Sequence, residues 1–184
     1  ARDEYGEFEP RVIRLSDKTL FNYPFVYLIE PGQLVFQENE IEPLREYLLR
    51  GGFMMVDDFW GEAEWKNWEV QLARVFPPDE YPIVELPLEH PIFHIVFDLK
   101  EKPQVPAAYH WAQTRTTYER LDAKEPHYRG IFDEKGRLMM IMCHNTDLGD
   151  GWEREGENVD YFNRFSAKSA YPLGINIIVY ALTH

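Results

Sequence analysis

The stretch YPFVYLIEPGQLVFQENEIEPLREYLLRGGFMMVDDFWG, residues 23–61, decides the fold. Its opening, Tyr23–Glu30, is an apolar, aromatic and β-branched run closed by Pro31-Gly32, the pattern of a buried strand. Across Glu38–Arg50, Ile41, Leu44 and Leu48 fall on one helical face with charges opposite, and Gly51-Gly52 ends the segment. Pro43 is tolerable only near a first turn, which places the expected N-cap at Asn39. Phe53–Asp57 is too short for an independent helix and reads as the second strand.

Working outward, Glu62–Phe76 places Trp65, Trp68, Leu72 and Val75 at helical spacing and stops at Pro77-Pro78. This strand–helix–strand–helix alternation predicts βαβ units and a parallel sheet covered on both faces. Ile83–Leu86 reads as a further short strand. From Pro87 to Lys124 the chain is proline-interrupted, and only loops and short edge strands are expected there. Arg129–Phe132 and Arg137–Cys143 flank Asp133-Glu134-Lys135-Gly136, a hairpin signal. A polar, glycine-containing loop is expected from His144 to about Arg164. A final helix follows Pro172, with Leu173, Ile177, Tyr180 and Ala181 on its apolar face. The expected organisation is an N-terminal extension over residues 1–22 leading into a single α/β domain over 23–184.

The composition narrows the function classes. A chain of 184 residues, 45% of them hydrophobic, can bury a sizeable core. Its one cysteine excludes an internal disulfide framework and any thiolate-based zinc or iron–sulfur site. No apolar run approaches the ~20 residues of a membrane span. No signal-peptide pattern opens the chain, as would also hold for a mature exported protein. The formal net charge is −13, and eleven of those thirteen charges fall before residue 93. Phosphate backbones and anionic lipid surfaces require Lys and Arg, so this balance argues against both. It suits a soluble protein or one that docks a basic partner.

Asp57 and Asp58 end the second strand, where open parallel sheets bind ligands, and two carboxylates there suit a metal or a general base. The alternative is structural: Asp58 caps the next helix or satisfies loop amides, while Asp57 pairs with a cation. His144-Asn145-Thr146-Asp147-Leu148-Gly149-Asp150-Gly151-Trp152 offers imidazole and oxygen groups on a glycine-flexed loop. The oxygens of Asn145, Asp147 and Asp150 superficially suggest calcium, but the EF-hand pattern fails. Turn hydrogen bonds from Asp147 and Asp150, with Trp152 as an anchor, are the structural alternative. His90 and His94 lie four apart, but Pro87 and Pro91 oppose the helix that would present them together, and turn histidines are expected. Cys143 has no flanking glycine and no helix directly after it, so a nucleophile elbow is not expected. No cofactor motif and no metal site are read from the chain.

The strings YPFVYLIEPG, LREYLLRGGFMMVDDFWG, ELPLEHPIFH, RGIFDEKGRLMMIMCHNTDLGDGWE and LGINIIVYALTH resemble the bacterial domain-of-unknown-function family numbered 4159, over about residues 12–184. More distantly, the chain resembles the class I glutamine amidotransferase-like group that includes trehalose-utilisation-type proteins. That resemblance implies a three-layer, doubly wound, flavodoxin-like fold with a mainly parallel sheet. It also implies a further strand–helix unit ahead of Val12–Tyr23, which this sequence does not contain, and hence an exposed sheet edge. Within the resemblance the His144–Trp152 string is the most distinctive. An extracytoplasmic setting is implied by the family as well.

Two functional expectations follow. The first is a non-catalytic accessory or binding subunit of a larger, envelope-associated assembly with other protein subunits. The second is a hydrolase or sugar-modifying enzyme, metal-dependent in one form, using Asp57, Asp58 and the His144–Trp152 loop. Convergence of Asp58, His144 and Asp147 in an open pocket is what the second requires.

Overall fold

Parallel pairing of three apolar strands forms the centre of the molecule, which is known from a computed structural model describing residues 11–184. β1 (Phe25–Ile29) pairs with β2 (Phe53–Phe59), and β2 pairs with β5 (Leu138–His144), both in parallel. β5 continues antiparallel into β4 (His127–Phe132), and β4 pairs antiparallel with the two-residue β3 (Val84–Glu85). The order β1-β2-β5-β4-β3 makes a mixed five-stranded sheet in an α/β fold, parallel on one side and antiparallel on the other. The antiparallel side follows from the hairpin at Asp133–Gly136. There Asp133 Oδ1 accepts from the backbone N–H groups of Lys135 and Arg137, and Gly136 takes the positive φ of 79° that the turn needs.

Strand alternation distributes the core to both faces of the sheet. From β2, Phe53 and Met55 enter one cluster with Leu148, Tyr161, Leu173 and Ile177, while Met54 and Val56 enter a second with Leu44, Leu48, Trp68 and Leu72. The second cluster lies under α1 (Glu38–Leu49) and α2 (Gly61–Val75). The first lies under α3 (Ala108–Thr114), α4 (Leu148–Glu153), α5 (Val159–Tyr161), the π-helix Phe162–Ala170 and α6 (Tyr171–Thr183). Ile13, Leu15 and the fully buried Leu20 join the α1–α2 side. Among the described residues no helix is long and apolar enough to cross a membrane.

Four expectations are corrected. The N-cap of α1 is Gln37, not Asn39: Gln37 N donates to Glu40 Oε2 at 2.9 Å, and the Gln37 side chain caps Glu40 in return. Pro43 therefore lies in the second turn, inside the helix, where it leaves the Asn39 carbonyl without its intrahelical partner. The stretch 87–124 contains a 3₁₀ turn at Pro91–Phe93 and the helix α3, and no strand. The polar stretch after His144 is not a loop throughout: Asp147 and Asn158 cap α4 and α5 with their side chains. Those short polar helices carry too few apolar positions for their period to be read. β2 also runs two residues further than Asp57, through Asp58 to Phe59.

Gly151 in α4 faces Ala170 so closely that a Cβ there would overlap the alanine methyl group. The Gly151→Ala variant is expected to lose about 1–3 kcal/mol of stability through overpacking. Urea unfolding would show a lower midpoint with an unchanged slope.

Candidate functional site

All three parallel strands end on a non-glycine residue in the left-handed region: Glu30 after β1 (φ 53°), Asp58 within β2 (φ 56°) and Asn145 after β5 (φ 62°). Backbone bonds hold each of them. Glu30 N donates to Asp57 O at 3.1 Å, Asp58 N to Thr146 O at 3.2 Å, and Asn145 N to Phe59 O at 2.9 Å. The pairing of β2 with β5 shifts register between Val56 and Phe59, so Asp57 and Asp58 sit in the irregular segment. The carboxyl edge of the sheet, where open α/β sheets bind ligands, is thus irregular and firmly tied.

Asp57 is completely buried. Its Oδ2 accepts from Tyr27 Oη at 2.9 Å and from Gly149 N at 3.0 Å, while Oδ1 has no hydrogen-bond partner among the described residues. Burial is the main force that pushes its pKa up to about 7, and the neighbouring Asp58 charge adds to it. Tyr27, half-buried against this carboxyl, is held far above the ordinary phenol range by burial and then by the Asp57 charge. Among the described residues no cation pairs with Asp57; its partners are Tyr27 and Gly149.

Asp58 opens into a cleft of about 420 Å³ between Glu30, Trp60, Glu64, Glu119 and Arg120. Trp60 Nε1 donates to Asp58 Oδ1 at 2.9 Å. Asp58 does not cap α2: the cap position is Trp60, whose N–H is taken by Glu64 Oε2 at 2.7 Å. Burial and the charges of Glu119, Glu30 and Asp150 raise the Asp58 pKa. Glu64 also pairs with Arg120, so the cleft holds four carboxylates and one guanidinium already engaged.

His144 faces the α2 layer, away from these acids. Arg129 Nη1 donates to its Nδ1 at 3.1 Å, so its proton sits on Nε2, which donates to Gly61 O at 3.1 Å. The ring lies beside Phe59 and Trp65, with centroid distances of 4.9 and 5.2 Å, and Arg129 stacks over Trp65. Burial lowers its pKa to about 4, with Arg129 acting in the same direction, so the imidazole is neutral at pH 7. Asn145 braces two segments: Oδ1 accepts from Gly61 N at 2.8 Å and Nδ2 donates to Glu125 O at 2.9 Å.

Asp147 caps α4 by accepting from Asp150 N at 2.8 Å, and burial together with the Asp58 and Asp57 charges raises its pKa. Asp150 Oδ2 accepts from Ala108 N at 2.8 Å, tying α4 to α3. Trp152 packs beside Tyr27, with ring centroids 6.2 Å apart, and against Gly174 of α6. Electrostatics therefore links Asp57, Asp58 and Asp147, whereas His144 is placed elsewhere. Cys143 is fully buried and its thiol is pushed well up by burial. His90 bonds backbone through Nδ1, which accepts from Ile92 N at 3.2 Å. Among the described residues no group of three or more His, Cys, Asp or Glu side chains is placed to hold a metal ion.

Tyr27, Glu30, Glu64, Glu119 and Arg120 were not singled out by motif. Glu30 carried a usable signal, since it is the last residue of the predicted strand Tyr23–Glu30. Glu119 and Arg120 come from a stretch without periodicity and reach the cleft only through tertiary packing. A second hollow, of about 240 Å³, lies between α2 and the antiparallel strands at Phe76, Tyr81, Ile83 and Ile131, and holds none of the candidate residues.

Fold and site together define an open-sheet α/β domain with an acidic cleft at the carboxyl ends of its parallel strands. The chain belongs to the family described as Domain of unknown function (DUF4159), whose profile matches residues 6–182. No curated protein matches it.

The raised Asp57 pKa has a pH signature. Between about pH 4 and pH 7 the unfolded chain releases this proton while the folded one keeps it, so the group's contribution to stability falls as pH rises. Asp57→Asn removes that loss and keeps one oxygen to accept from Tyr27 and Gly149. The stability difference, variant minus wild type, is expected to grow by at least about 1 kcal/mol from pH 4 to pH 7 and then level off. Urea titrations at a series of pH values test this, and a pH-independent difference would refute the assignment.

Proposed function

We propose that this domain is a non-catalytic accessory subunit that binds other proteins within a larger assembly. The observation that supports it most is the use to which the polar groups at the carboxyl edge are put. Asp57, His144, Asn145, Asp147 and Asp150 all hold backbone or side-chain partners inside the domain. A general base or nucleophile needs a free, accessible group aimed at a substrate. The neutral His144 is committed at both nitrogens, and Cys143 is sealed in the core.

Asp58 is the candidate carboxylate that opens to a cleft, and its surroundings suit binding. Four carboxylates facing one guanidinium give a negative hollow that favours a cationic group, such as a Lys or Arg side chain of a partner. The doubly wound, amidotransferase-like ancestry and the extracytoplasmic, envelope-associated setting belong to the same reading, and both rest on the family resemblance.

Purification of the protein from extracts of its own cells under gentle conditions tests the proposal. A second protein is expected to co-elute in fixed ratio, and its association is expected to weaken at least tenfold in the double variant Glu30→Lys, Glu119→Lys and at high salt. Recovery of the chain with no companion protein would count against the accessory role. Turnover of glycosides, esters or amides that disappears in Asp58→Asn would establish the hydrolase reading instead.

A further inference from the structure

α6 closes the molecule with a helix that is apolar on every side. From Ser169 to His184 the sequence SAYPLGINIIVYALTH contains no Asp, Glu, Lys or Arg. Its inner face is accounted for: Pro172, Leu173, Gly174, Asn176, Ile177 and Tyr180 are buried. The opposite face carries Ile175, Ile178, Val179 and Leu182, at the i, i+3, i+4, i+7 spacing of a second stripe. Ile175, Ile178 and Leu182 remain 39%, 46% and 59% exposed. A helix covering one side of a sheet normally turns charges outward. Apolar residues all round mark a helix buried on both sides.

The stripe is widened by a neighbouring segment that is fastened to the same helix. The fully buried Asn176 accepts through Oδ1 from Val96 N at 3.1 Å and Phe97 N at 2.8 Å, and its Nδ2 donates to Phe97 O at 2.8 Å. This clasp presents Val96, 51% exposed, and Phe97, 42% exposed, alongside α6. Val179 and Ile175 lie on the Asn176 side of the stripe, so helix and loop form one apolar surface. A buried amide with all three of these bonds satisfied is a costly way to hold two hydrophobic side chains in water.

The geometry points to a second copy of this chain as the partner, packing α6 against α6 across a two-fold axis. Charge is the first reason. Two molecules carrying −13 each repel except where their surfaces bear no charge, and the α6 stripe is such a surface. Self-complementarity is the second: a two-fold contact pairs one patch with itself, and an uninterrupted aliphatic stripe has no charge pattern that must find its opposite. Area is the third. Thirteen helical residues span about 20 Å. With the Val96–Phe97 loop alongside, the footprint is on the order of 400 Å², a fitting apolar centre for a standard interface of about 800 Å² per partner. A lipid surface fits less well, because the stripe offers no Lys or Arg to head groups. The N-terminal stretch from Arg11 joins the opposite face of the sheet, where Ile13 and Leu15 pack. The inference stands apart from the accessory role, since the acidic cleft lies at the carboxyl ends of the parallel strands and shares no residue with the α6 surface.

Sedimentation equilibrium of the purified chain tests this. Wild type is expected to show the mass of two chains, and the double variant Ile178→Glu, Leu182→Glu the mass of one, with the dissociation constant raised at least a hundredfold. Both positions are exposed in the single chain, so circular dichroism and thermal unfolding of the dilute variant should match a folded monomer. Val70→Glu, an equally exposed valine on α2, is the control and should leave the dimer intact. A single-chain mass for wild type at all concentrations would overturn the proposal, as would a dimer indifferent to the α6 substitutions. Flotation of wild type with phosphatidylcholine vesicles, lost in the same variant, would assign the surface to lipid and equally overturn it.

Discussion

One buried carboxyl group joins the three parallel strands. Asp57 belongs to β2, receives the hydroxyl of Tyr27 from β1, and receives the amide of Gly149 from the helix that follows β5. Each partner comes from a different part of the chain, so this residue fixes the relative positions of elements that sequence neighbours could not fix. The arrangement also explains why a charge-averse site keeps an acid. Two donors converge on one oxygen, and a proton on the carboxyl removes the cost of burying a negative charge. An aliphatic residue there would leave the Tyr27 hydroxyl and the Gly149 amide without acceptors, each at a cost of roughly 1–3 kcal/mol.

Around that latch, the carboxyl edge of the sheet is built from strained backbone. Left-handed residues at Glu30, Asp58 and Asn145 turn the chain abruptly as each parallel strand ends. Two of these, Asp58 and Asn145, are types that tolerate such φ values, and Glu30 is not. The turns decide where the neighbouring side chains go. Asp57 is delivered beneath α4, Asp58 into the cleft, and Asn145 across to Gly61. Adjacent acids therefore enter separate environments because the left-handed turn at Asp58 and the register shift after Val56 break the alternation: Val56 and Phe59, three residues apart, pack on the same side of the sheet.

Elements with a long hydrophobic period were legible in the sequence. β1, α1, β2, α2 and the β4–β5 hairpin fall where spacing and turn residues place them. The candidate residues Asp57, Asp58 and those from His144 to Trp152 do lie at or just beyond the carboxyl ends of parallel strands. Their roles were less legible, because each depends on a partner distant in sequence. Asp57 needs Tyr27, Asn145 needs Glu125, and Asp150 needs Ala108. Short helices such as α3 and α4 escaped because six or seven residues give less than two turns of period. The N-cap of α1 was misplaced because Gln37 is an unusual cap, effective here through its reciprocal bond with Glu40. For α6, Leu173, Ile177 and Tyr180 mark the inner apolar face by their spacing, whereas the equally apolar outer positions Ile175, Ile178 and Leu182 give the period no contrast.

The sheet also divides the charge. Helices α1 and α2 come from the half of the chain that carries eleven of the thirteen net negative charges, whereas α3 to α6 come from the nearly neutral half. The sheet thus separates α1 and α2, which carry seven acidic and three basic side chains, from a face that ends in an uncharged, apolar helix. Uniform acidity would keep copies apart and leave the acidic cleft no more attractive to a cation than its surroundings. Segregation instead concentrates the field at the cleft, where Glu30, Asp58, Glu64 and Glu119 meet. It also frees the opposite face from the repulsion that would otherwise prevent close packing. The crossovers place α1 and α2 on one side of the sheet, and the later helices cover the other.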